Sequence, residues 1–192
     1  MEVYVNGQKQ PTEEYRGLSA REVVQKIYQC WPDCMIEEVI YEEEEVPLIY
    51  FQEEAEKAEE GTEVEFILTD RDEVIERELE RAEDYLPQLE GIIEDMIEYF
   101  GSGEKQEARQ QYRSALEGLE WMQSTLVKIM RISEDKEIKL TFQDELREYQ
   151  RAVKDVLIAY QQGRDGRLIQ IFEEEILFYI KSMIKIAREG KR

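Results

Sequence analysis

A chain of 192 residues with 46 Asp and Glu against 25 Lys and Arg carries a formal charge of −21 and no histidine. Such a surface repels nucleic acid and anionic membranes. The missing imidazole excludes Ser-His-Asp and Cys-His nucleophile pairs, histidine-ligated zinc and the Glu-x-x-His pattern of di-iron bundles.

Residues 1–68 read as a small acidic α/β domain, with 18 acids and 5 bases for a net −13, against a net −8 over residues 69–192. Val3 to Val5 form a short strand, and Asn6 with Gly7 is a hairpin signal because both residues accept positive φ. Ser19 caps a helix with Glu22 as its capping-box partner. The buried stripe of that helix is Val23, Val24, Ile27 and Tyr28, and Pro32 stops it. Met35 to Val46 then reads as one strand carrying Ile36, Val39, Ile40 and Tyr41, and Leu48 to Phe51 is a second apolar run. A polar link follows at 53–61, with a second short helix as the alternative. Val64, Phe66 and Leu68 alternate onto one face of a third strand. A hairpin, one helix and further strands is an order that resembles ubiquitin-like β-grasp domains.

From Thr69 the period becomes helical. Ile75, Leu79, Ala82, Leu86, Leu89, Ile93, Met96 and Phe100 fall alternately four and three residues apart, an unbroken heptad seam. Thr69 or Asp70 caps this helix, and Gly101 to Gly103 end it. A second seam runs from Ala108 to Ile129. A third runs from Phe142 to Tyr160, capped by Thr141 with Asp144 three residues on. Gly163 to Gly166 turn the chain into a fourth, Ile169, Phe172, Ile176, Tyr179, Met183 and Ile186. Four seams with short connections imply an antiparallel four-helix bundle over residues 69–192 and an α+β chain as a whole.

Two details complicate the bundle. Pro87 removes the hydrogen bond to the Glu83 carbonyl, which predicts a kink, or a linking helix at 70–85 and a bundle helix from about Leu86. The fourth helix is too apolar for one seam: Leu168, Ile171, Leu177, Phe178, Ile180 and Ile184 lie outside its heptad positions. Either it is buried on several sides, or these six residues form a partner interface.

No constellation for catalysis, cofactor binding or metal stands out, and the protein reads as non-enzymatic. Cys30 and Cys34 have three residues between them, not the two of a thioredoxin-like motif, and read as structural thiols. Glu42 to Glu45 lack the spacing of an EF-hand loop and read as a solvated acidic surface. No carboxylate falls at a heptad core position, so a buried acid–base pair has no support. The opening residues lack the basic and apolar regions of a signal peptide, and no apolar run reaches the roughly 18 residues of a membrane span. A reducing cytoplasm is the expected location.

From Leu86 to Arg188 the chain is similar, in helix order and length, to the four-helix export chaperones that hold flagellin before secretion. The turn after Phe100, the segment from Ala108 to Met130 and the apolar helix from Leu168 carry the likeness; the N-terminal unit departs from that family. The resemblance implies a protein-binding module, chaperone-like or an adaptor, that holds an amphipathic helix of another protein. Two alternatives stay open. One is a structural protein that self-associates through a second copy. The other is an acidic mimic, motivated by the −13 of the first third, that binds a basic protein.

Overall fold

The computed structural model describes residues 1–54, 61–133 and 136–189, without the side chains of 54, 136–138, 141 and 142. Most of the 53–61 link and the Thr141 and Phe142 side chains therefore lie outside the described residues. The chain divides into two compact units, Met1–Val74 and Ile75–Arg192. The division falls inside the first turns of a helix rather than after Leu68.

The first unit is a five-stranded mixed sheet. Strands β1 (Glu2–Val5) and β2 (Gln8–Lys9) form the expected hairpin, with Asn6 and Gly7 at φ 46° and 76°. After a single turn, α1 (Thr12–Tyr15), comes helix α2 (Ala20–Cys30), opened by the Ser19–Glu22 capping box. Ser19 N–H donates to Glu22 Oε2 at 2.8 Å, and the Glu22 amide donates back to Ser19 Oγ. The Glu22 carboxyl is held below its usual range chiefly by that backbone donor.

Strands β3 (Cys34–Tyr41), β4 (Glu44–Val46) and β5 (Glu63–Asp70) complete the order β2-β1-β5-β3-β4, with β5 parallel to β1. This is the β-grasp arrangement that the element order implied. Val3, Val5, Val64, Phe66, Leu68 and Val39 alternate onto one face, and Val23, Val24 and Ile27 of α2 cover them. Tyr28 departs from the expected stripe and is exposed.

The single strand expected over 35–46 is a hairpin instead, because the chain reverses at Glu42 and Glu43. The run from Leu48 is a helix, α3 (Leu48–Glu54), rather than extended chain.

The second unit is the four-helix bundle: α4 (Arg71–Ser102), whose first turn starts in the first unit, α5 (Lys105–Ile132), α6 (Lys136–Gln161), and a fourth helix in three pieces. Those pieces are α7 (Asp165–Ile171), a π-helical turn (Phe172–Ile176) and α8 (Leu177–Glu189). Side-chain pairs fix the directions. Tyr85 meets Trp121 and Glu78 meets Lys128, so α5 descends where α4 climbs. Tyr112 meets Tyr160 and Tyr149 meets Leu119, so α6 reverses again. Lys181 and Arg188 reach back to Glu90 and Glu83, which closes α8 onto α4.

The expected break at Pro87 does not occur, and α4 is one continuous helix. Pro87 is exposed, so its ring lies on the solvent side of α4 and leaves the core packing undisturbed. Asp70 Oδ1 caps α4 through the Asp72 amide at 2.8 Å. The third helix starts at Lys136 rather than after Thr141.

Buried tyrosines give the bundle an alkaline limit. Tyr149 donates to the Leu119 carbonyl at 2.7 Å, and burial pushes its phenol far up. Tyr112 stacks on Tyr160 at 3.9 Å, and burial with that neighbour pushes its phenol up to about 12. An unfolded tyrosine ionises near about 10. Both groups therefore contribute stability that is complete below pH ~10; the Tyr112 contribution is lost as pH rises through about 12, and the Tyr149 contribution at higher pH still. Phenolate absorbance should show these two tyrosines ionising only together with loss of the helical circular dichroism signal. Phe variants at Tyr112 and Tyr149 should remove that coupled step.

Candidate functional site

Five of the six residues expected at a partner interface are core. Leu168, Ile171, Leu177, Ile180 and Ile184 are each at most 8% exposed and belong to the bundle's own cluster, whereas Phe178 is 65% exposed. The π-turn supplies the reason. An uninterrupted α-helix that buries Leu168, Ile171 and Phe172 would next bury positions 175, 179, 182 and 186. Ile176, Ile180, Met183 and Ala187 are buried instead, each one residue later, with Leu177 and Ile184 flanking them on the same displaced face. A π-turn is a one-residue insertion, and it shifts the phase of everything beyond it. The apolar surplus of the fourth helix is therefore two in-phase stripes joined across that insertion.

Glu78 is a buried carboxylate that the heptad pattern does not flag. Its side chain is 7% exposed, with Lys128 Nζ at 2.7 Å and Arg81 at 3.2 Å, and it ties α4 to α5. Cys30 and Cys34 are free thiols at the end of α2 and the start of β3. Burial, then Asp70 and Asp33, push the Cys34 thiol up, which makes it a poor nucleophile. Alkylation under native conditions should therefore modify the exposed Cys30 well before Cys34. Among the described residues no group of three or more His, Cys, Asp or Glu is placed to hold a metal ion, and no helix is long and apolar enough to cross a membrane.

A cleft of about 760 Å³ in the first unit is lined by Glu2, Glu13, Arg16, Ser19 and Glu22 among others. Its polar groups are largely engaged: Glu2 pairs with Lys9, and Glu22 serves the α2 cap.

A second surface of interest lies on α3. Phe51 anchors this helix, fully buried and edge-on to Tyr41 at 5.6 Å and Phe66 at 5.5 Å. Helical spacing then turns Ile49 and Tyr50 outward, 66% and 48% exposed. In a strand, Leu48 and Tyr50 would have shared a face; the helix pairs Leu48 with Phe51 instead.

Beside α3, the β3–β4 turn places Glu42 and Glu43 at φ 50° and 70°, followed by Glu44 and Glu45 on the edge strand. All four carboxylates are exposed, and none has an ion-pair partner among the described residues. Tyr41 links the two parts. Its phenol is raised by burial and by the Glu42 charge, is lowered by a hydrogen bond with Thr62, and also feels Tyr50. Two exposed apolar side chains on α3 thus follow an acidic edge hairpin, in which Glu44 lies opposite Tyr41 on the face where Phe51 packs and Glu45, opposite Ile40, lies on the other face.

A family model described as a domain of unknown function, DUF8042, matches residues 77–186. The chain belongs to that family. The DUF8042 match runs from α4 into α8 and corresponds to the bundle, while α3 and the β3–β4 turn precede it. No curated protein and no solved structure matches the chain.

Proposed function

We propose that the protein is a non-enzymatic binding module, an adaptor that holds a segment of another protein. The observation that carries this reading is the exposed Ile49 and Tyr50 pair, set on a helix that Phe51 fastens to the sheet. Folding gains nothing from leaving two large apolar side chains in water, whereas a partner that covers them gains their burial. A bundle groove that holds a helix, as in export chaperones, has less support, because the fourth helix spends its apolar surface internally.

Affinity capture on the full chain compares wild type with an Ile49→Ser/Tyr50→Ser variant. The expected result is a protein retained by the first and lost by the second, with unchanged circular dichroism. Equal retention by both would overturn the assignment of this surface.

Self-association is a second reading, favoured by Phe178 at 65% exposure on α8. Light scattering at micromolar concentration tests it: a dimer that Phe178→Ser dissociates supports it, and a monomeric wild type removes it.

A further inference from the structure

We infer that the segment bound at Ile49 and Tyr50 is cationic as well as apolar, and that the β3–β4 turn stays strained in order to present its carboxylates to that segment. The inference rests on the binding reading of the same surface and specifies its partner.

The chain makes the same tight reversal twice. At the β1–β2 turn, two residues with positive φ, 46° and 76°, are Asn6 and Gly7. At the β3–β4 turn, two residues with positive φ, 50° and 70°, are Glu42 and Glu43. Left-handed backbone suits glycine and asparagine; a glutamate Cβ crowds the following carbonyl there. The first turn therefore has the residues its geometry asks for, and the second does not. The four consecutive carboxylates from Glu42 to Glu45 also repel one another. Two unfavourable choices coincide at one hairpin, and what they supply is negative charge next to Tyr41, whose ring packs on Phe51 of α3.

Charge complementarity selects the occupant. An apolar face alone accepts any hydrophobic segment, and an acidic row alone holds cations loosely in salt. Together they match a polypeptide that carries Lys or Arg next to Leu or an aromatic residue. A second copy is the poorer candidate, because two chains of charge −21 repel. An anionic membrane is repelled for the same reason.

The test uses the isotope-labelled full chain and three synthetic helical peptides. They share length and leucine pattern, with Lys, Gln or Glu at the polar positions. The Lys peptide should shift amide resonances between Tyr41 and Phe51 and bind on the order of tenfold more tightly than the Gln peptide at low salt, the gap closing as salt rises. Ile49→Ser/Tyr50→Ser should abolish binding of both.

Glu42→Asn/Glu43→Gly should raise the melting temperature and bring the affinity for the Lys peptide toward that for the Gln peptide. Equal binding of Lys and Gln peptides at these amides would overturn the charge inference and leave the binding reading standing. No peptide-induced shifts between Tyr41 and Phe51 would remove the binding reading itself. Shifts spread over all acidic surfaces, or a doubly substituted turn no more stable than wild type, would also overturn the inference.

Discussion

Deleting Glu174 from the fourth helix leaves the bundle folded, at a cost of no more than about 1–2 kcal/mol, whereas deleting Lys181 costs about 3–6 kcal/mol. The two deletions remove one exposed residue each from the same helix. Glu174 lies in the π-turn, where the chain already carries one residue too many for α-geometry. Its removal lets Phe172–Ile176 close into ordinary α-helix. Leu168, Ile171 and Phe172 then keep their face, and so do Ile180, Met183 and Ala187.

Lys181 lies in regular α-helix, where one deletion rotates everything beyond it by about 100°. Met183, Ile184 and Ala187 would turn out of the core, at about 1.5–3 kcal/mol for each large side chain. The exposed Lys181–Glu90 contact adds little to the difference. Urea denaturation followed by circular dichroism measures both. Equal damage from the two deletions would mean that the π-turn is not what sets the phase of α8.

Gly118 carries the second large effect. It is buried on α5, and a Cβ built there overlaps Leu89 Cδ1 and stands 2.9 Å from the Tyr85 hydroxyl oxygen. The missing side chain is what lets α4 pack closely on α5. Gly118→Val should cost about 1–3 kcal/mol from overpacking. Leu89→Ala alone should cost about 2–5 kcal/mol, since Leu89 is fully buried. The double variant should be more stable than the sum of the two losses by ~1 kcal/mol or more, because the valine enters the space the leucine vacates. Additive losses in a double-mutant cycle would show that the two positions do not compete for one volume.

How much of this could be read from the residues depended on whether the local signal matched its period. Seams on α4 and α5 were legible because leucines and isoleucines recur every three and four residues, and Leu86, Leu89, Ile93 and Met96 are all fully buried. The Ser19–Glu22 box and the Asn6–Gly7 turn were legible because each residue type is there for one physical reason.

The fourth helix was misleading because a heptad template assumes a constant period, and the π-turn breaks it at Phe172. Ile171, Ile180 and Ile184 then look like surplus although they are core. The β3–β4 turn was hidden because Glu42 and Glu43 are poor residues for the backbone they adopt. The candidate surface was illegible for a related reason. Leu48 to Phe51 is four apolar residues in a row, and only a helix beginning after Pro47 sorts them into an inward pair and an outward pair. Glu78 was missed because it flanks the seam between Ile75 and Leu79 and is buried by α5.

The most direct test of the proposed docking surface is photo-crosslinking in living cells, with a photoreactive phenylalanine analogue placed at Tyr50 in one version of the chain and at Phe178 in another. Both sites are exposed aromatics, so neither replacement disturbs a core. A discrete adduct is expected from position 50, mapped to a Lys- or Arg-bearing segment of a second protein, and none from position 178. An adduct formed from position 178 with nothing from position 50 would contradict this assignment and move the docking surface to the bundle.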